Sequence, residues 1–283
     1  MYPGGDSDRK FSQICKHMDA CAFLIPIYPK HYHYMYRVLP KLRKVVDVFL
    51  VFSNEEDFQA FEQKENIQAI LLPFVPKDGI INCKKFYGLQ SLLDSKYEYF
   101  IVCDAEIDVI EQNFHAENIR KKVREVFQNR RIYGGKNRKE TDLEIMSKAA
   151  NVFSPDEYER IRVLTEGFTL YTWWSDLPVY KREHLRHFFQ TVRTDQLTWF
   201  HFDHLIYSYY LMLYHSFTLV NLTPIIQREG SLEWYRTNDR NNMIQLERLG
   251  YGFSWVSRLL LKRWETFLLR RGAFLIYHCD RNY

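Results

Sequence analysis

The sequence lacks the Cys-x-x-Cys pairs of zinc ribbons and redox sites, and its five cysteines (Cys15, Cys21, Cys83, Cys103 and Cys279) are an odd number. Neither a zinc framework nor a disulfide scaffold is expected, and a reducing compartment is the default. Glycine (11) and proline (9) are sparse for 283 residues, which excludes collagen-like and low-complexity chains. The G-x-x-x-x-G-K phosphate loop is absent, since Gly134-Gly135-Lys136 lacks its spacing. His31/His33 and His201/His204 have no partners at zinc-ligand spacing. The stretch MYPGGDSDRKFSQ has no apolar signal core and reads as a polar leader, so a cytoplasmic location is expected. The longest uncharged run, 205–227, is broken by Tyr207, Ser208, Tyr209, Tyr210, His215, Asn221 and Pro224. A membrane span needs about 20 predominantly apolar residues, so this run reads as a buried helix followed by a buried strand. Charge of one sign is also lacking: 39 basic against 35 acidic residues leave +4, spread along the chain. Without a clustered basic face, a nucleic-acid partner is not expected.

What is present is a globular balance, 46% hydrophobic and 26% charged. At roughly 150 residues per domain the length allows one large domain or two small ones. No linker or internal repeat divides the chain, which favours a single domain over 1–283. Aromatics reach 17%; core packing absorbs most of them, and a sugar- or base-binding cleft could use a few.

Apolar runs and helical spacings alternate through the first part. Strands are expected at 21–28, 45–52, 67–74 and 97–103. Helices are expected at 31–44, 55–65 and 82–95, the second capped by Ser53-Asn54 with Glu56 as the capping-box acid. Such alternation implies an α/β domain, with a mainly parallel central sheet flanked by helices and its site at the carboxyl ends of the strands. Beyond 110 the pattern is less regular. Charged helical stretches are broken by Ile132–Gly135, a strand is expected at 168–174, and helices at 180–192 and 203–214. A strand follows at 217–222, then a polar loop at 230–242, a basic amphipathic helix at 253–271 and a last strand at 273–278. That basic helix allows a peripheral membrane contact, although packing on the domain is the simpler reading.

The sharpest chemical signal is Asp104-Ala-Glu106-Ile-Asp108, directly after the fourth strand. On extended chain Asp104 and Glu106 share one side, so both can face one hard divalent cation, which prefers carboxylate oxygen. An isolated pair of this kind is commonly an ordinary solvated strand end.

The segments Phe23–Tyr28, Asn82–Gly88 and Tyr99–Glu106 together resemble nucleotide-sugar-dependent glycosyltransferases of the GT-A fold. The resemblance implies a GT-A-like, Rossmann-type domain with a nucleotide-sugar-binding half (1–110) and an acceptor-binding half (111–283). It implies a base-cupping loop at Pro26 and Tyr28, with Lys84 or Lys85 beside the donor phosphates. A D-x-D-type motif would hold Mn²⁺ or Mg²⁺ through Asp104 and Glu106, with Asp108 able to share the role. Glu106 departs from the usual second Asp, so its direct ligation is open. Trp173 and Trp174 would line the acceptor side. Asp203, at a helix start, would be the base of an inverting transfer, with Asp176 and Glu166 as the other candidates. Some members use a late histidine as a metal ligand, which brings in His278. The implied partners are a nucleotide diphosphate sugar, UDP by default, and a glycan or glycoconjugate acceptor. The alternatives are a nucleotidyltransferase that makes nucleotide sugars, disfavoured by the glycine-free loop Tyr28-Pro-Lys-His-Tyr, and a non-catalytic sugar-binding protein of the same fold.

Overall fold

The computed structural model describes residues 21–62, 67–75, 80–136, 140–170, 178–195, 197–225, 240–249 and 255–279. The expected polar leader, and Trp173, Trp174 and Asp176, lie outside the described residues.

The first strand, β1 (Cys21–Pro26), leads through a 3-10 turn (Pro29–His31) into α1 (Tyr32–Arg43). Then follow β2 (Asp47–Phe52), α2 (Glu55–Ala60), β3 (Gln68–Leu71), α3 (Ile80–Ser91) and β4 (Tyr99–Val102). This is the alternation expected from the sequence. The central sheet has the order β3-β2-β1-β4-β8, where β8 is Val179–Lys181. The first four strands run parallel and β8 closes the edge antiparallel to β4. Alternate residues feed two cores. Ala22, Leu24, Phe100 and Val102 belong to one, and Phe23, Ile25, Tyr99 and Ile101 to the other. A sheet covered on both faces needs apolar side chains on both, which is why these strands read as unbroken hydrophobic runs. The fold is thus α/β with a mostly parallel sheet flanked by helices, as expected.

After β4 the chain bends and forms β5 (Ile107–Val109), which joins a second sheet of order β10-β11-β5 with β10 (Trp255–Ser257) and β11 (Ile276–His278). Next come α4 (Ala116–Asn129), β6 (Arg131–Gly135), α5 (Glu140–Ala150), α6 (Pro155–Leu164) and β7 (Thr169–Leu170). The helix α7 (Arg182–Thr191) follows β8, then α8 (Asp203–Tyr214) and β9 (Thr218–Asn221). A third sheet has the order β7-β6-β9. The chain ends with α9 (Arg240–Arg248), β10, α10 (Arg258–Arg270) and β11.

Several expectations shift. The helix after Asn54 stops at Ala60, and Asn54 caps the Asp57 amide, so Glu56 is not a capping-box acid. A capping box occurs at Ser154 and Glu157 instead, ahead of α6 with Pro155 in its first turn. Tyr180 lies in β8 and the helix begins at Arg182. Residues 255–257 form a strand before α10. Of the run 205–227, α8 is buried along nearly its whole length, whereas β9 is an exposed to half-exposed strand. Among the described residues no helix is long and apolar enough to cross a membrane. Leu268 of α10 is buried with Tyr133, Leu222, Leu246 and Leu275, so that helix packs on the protein.

Candidate functional site

A cavity of about 450 Å³ opens at the carboxyl ends of β1 and β4. Pro26 and Tyr28 come to it from the end of β1, and Lys30 and His31 from the turn that follows. Asn82 and Lys85 come from the first turns of α3, and Asp104 and Glu106 from the bend after β4. Trp199, Phe202 and His204 enter from the start of α8, and His278 from β11. The cavity therefore gathers Pro26, Tyr28, Lys85, Asp104 and Glu106, which the sequence suggested for donor binding.

Two devices hold the wall together. Asn82, almost fully buried, donates to the carbonyls of Thr198 (2.8 Å) and Trp199 (3.2 Å) and ties α3 to the loop before α8. Gly88 lets α3 lie against β1 and β2, since a β-carbon there would come within 2.8 Å of Leu24 and 2.9 Å of Val51. Any larger residue would have to displace the Leu24 and Val51 side chains from this contact.

The electrostatic centre is Lys85. Its Nζ is 3.0 Å from Asp104 Oδ1 and 3.1 Å from Asp203 Oδ1. Burial alone would lower the ammonium pKa, but the two carboxylates outweigh it and hold Lys85 charged. Burial alone would raise the Asp104 carboxyl; Lys85 first, then His278, hold it below the usual range. Asp203 has no exposed surface. Its burial is likewise outweighed by Lys85, then by His204 and Tyr180, and its pKa lies well below that of an ordinary carboxylate. The Tyr180 hydroxyl donates to Asp203 Oδ2, and His204 Nδ1 is 3.4 Å from Oδ1.

This geometry bears on three expectations and corrects two of them, for Asp108 and Lys84. Asp203 is the first residue of α8 but makes no cap hydrogen bond. Asp203 is enclosed, and His204, a side chain the sequence reading weighed only against zinc, lines the cavity in front of it. Asp108 does not join Asp104 and Glu106. The bend at 105–106 puts it in β5, where it pairs with Lys41 (2.9 Å) and Arg37 (3.1 Å) of α1 and is outside the cavity wall. Lys84 is fully buried behind Tyr28 and does not face the cavity.

For a divalent cation, the two cavity-facing carboxylates and His278 have suitable donor chemistry. As placed, Asp104 is engaged by Lys85, and Glu106 lies 2.8 Å from His31 Nε2. Among the described residues no group of three or more His, Cys, Asp or Glu side chains is drawn together as a ready metal cage. Lys85 and His31 each engage one oxygen of these carboxylates, Asp104 Oδ1 and Glu106 Oε1.

No family model and no curated protein matches the chain. Among solved structures, S. aureus TarS 1-349 is similar at 13% identity and a TM-score of 0.37; the likeness covers 69% of this chain and 56% of that one. The 4-diphosphocytidyl-2C-methyl-D-erythritol synthase of Anaerococcus prevotii gives 10% identity and a TM-score of 0.38, over 80% of this chain and 96% of that one. A Desulfovibrio desulfuricans protein described as a nucleotide-diphospho-sugar transferase gives 10% and 0.35, over 82% and 97%. TM-scores this low leave function to be argued from the chain's own residues.

Proposed function

We propose that the chain is a glycosyltransferase. It moves a hexosyl or pentosyl group from a nucleotide diphosphate sugar, with UDP the favoured nucleotide, to a hydroxyl of a glycan or glycoconjugate. One observation carries the reading: a single cavity at the carboxyl ends of β1 and β4 brings an aromatic ring, a held ammonium and two acids to one wall. In open α/β sheets this is where ligands bind.

Tyr28 offers a ring for the base, and Lys30 puts positive charge beside the diphosphate, while Lys85 holds Asp104 in place behind it. Mn²⁺ or Mg²⁺, if held by Asp104 and Glu106, would supply Lewis-acid neutralisation of the leaving diphosphate. His204 takes the acceptor proton. With Asp203 orienting Nδ1, its Nε2 receives the hydroxyl proton while the acceptor oxygen bonds to the anomeric carbon. The bond from that carbon to the diphosphate breaks with inversion, and the nucleoside diphosphate leaves with the electron pair. A 3-10 turn follows β1 where a nucleotidyltransferase would carry a glycine-rich loop, which favours sugar transfer over nucleotidyl transfer.

A thermal-shift screen of UDP, GDP, CMP and dTDP, with and without Mn²⁺, tests this. A ligand at 100 times its dissociation constant adds about 2.7 kcal/mol of stability. A rise in melting temperature with one nucleoside diphosphate is expected; no rise with any of them overturns the reading.

A further inference from the structure

Lys84 occupies a place that asks for an explanation. It is fully buried in α3. Its Nζ donates to the Ile27 carbonyl at 2.5 Å and stands 3.7 Å from the centroid of the Tyr28 ring. Ile27 and Tyr28 are the two residues by which the chain leaves β1 for the cavity. Among the described residues no carboxylate lies within ion-pair distance of Lys84. A buried ammonium without a counter-ion is costly, and an apolar side chain of similar length would fill the space without that cost. The cost shows in the ammonium itself: burial lowers its pKa to about 8, opposed only by Asp57 of α2.

Tyr28 is the part of this arrangement that meets the cavity. Its hydroxyl is buried and has no hydrogen-bond partner among the described residues. His31 meets its ring edge-on at 5.8 Å. Burial raises its phenol, further shaped by Lys85, Asp104, Cys83 and Glu106, so it stays neutral while Lys84 titrates. On the far side, the Tyr32 hydroxyl donates to the Asp57 carbonyl at 2.5 Å, which fixes the edge of α2.

We propose that Lys84 is a positioning residue: by holding the Tyr28 ring face and the Ile27 carbonyl together, it sets the aromatic seat on which a nucleobase rests. The inference rests on the nucleotide reading of the cavity. Loss of the Lys84 proton removes the cation from under the ring, so nucleotide affinity falls as pH rises through the Lys84 midpoint.

Two readouts test this on the full chain. The first needs no ligand. In the wild type, NMR resonances of the Tyr28 ring are expected to move with the Lys84 ¹³Cε titration, both with a midpoint of about 8. The second is calorimetric titration of UDP near pH 7 and near pH 9. Wild-type affinity is expected to fall about fivefold more across this interval than that of Lys84→Met, the size of a partly desolvated cation–π contact. The variant serves as reference for the titration of UDP itself. Should it not fold, the wild-type profile still decides. A Tyr28 ring that ignores the Lys84 titration overturns the proposal. So does UDP affinity that is the same on both sides of the midpoint, which would leave the nucleotide reading standing. If the ring follows Lys84 but UDP binds at neither pH, it is the nucleotide reading that fails, and the seat falls with it.

Discussion

Lys84 and Lys85 are neighbours in the chain and about 100° apart around α3, and they live in opposite electrostatic worlds. Lys85 sits between two carboxylates, which keep it charged. Lys84 has a carbonyl and an aromatic ring, and burial pushes its pKa down to about 8. On one side of the cavity a charge is neutralised and locked; on the other a charge is held against its solvation. Partners within ion-pair reach, rather than depth of burial, decide which way a buried lysine titrates.

The comparison breaks most visibly with Lys85→Met, which leaves Asp203 charged, enclosed and without its ammonium. Denaturant unfolding is expected to show a loss of about 3–5 kcal/mol. A loss under about 1 kcal/mol would mean that the ion pairs do not organise the site.

The mirror experiment is Lys84→Met. The folded-state pKa of Lys84 is depressed below its unfolded value, so its contribution to stability is fully present above about pH 10.5 and is lost as pH falls through about 8. Relative to the variant, the wild type should gain up to about 3 kcal/mol as pH rises through that window. Near neutral pH the variant should be as stable as the wild type or more so. Parallel pH profiles would show that Lys84 titrates normally.

The third test separates the two sides by function. His204→Ala is expected to lower kcat about 100-fold while UDP affinity changes little, since His204 acts on the acceptor and Tyr28 on the base. Collapse of UDP affinity with turnover preserved would remove His204 from the role of base.

Much of the architecture was legible in the sequence. The strand runs were continuous because both faces of the sheet are covered, and α8 begins at the expected residue, Asp203. Five donor-side residues, Pro26, Tyr28, Lys85, Asp104 and Glu106, do line one cavity. What escaped depends on contacts between distant segments. Nothing in the order of residues says that Lys85 will join Asp104 to Asp203, or that Lys84 will turn under Tyr28. Asp108, which the resemblance allowed to share the metal role, falls away because the backbone bends at 105–106 and carries it into another sheet. His204 was passed over because its spacing was weighed against zinc; its adjacency to Asp203 was the available clue. β8 is only three residues long, too short for a periodic signal, and merged with α7.

Asp203 opens α8, and every residue from Leu205 to Leu213 of that helix is buried. Amides so enclosed exchange with solvent only when a large part of the molecule opens. The acid behind His204 is thus anchored in what should be the slowest-exchanging segment, while Trp199, four residues before it, is 58% exposed at the rim. Local fluctuations can therefore reshape the mouth of the cavity while Asp203 stays anchored behind it.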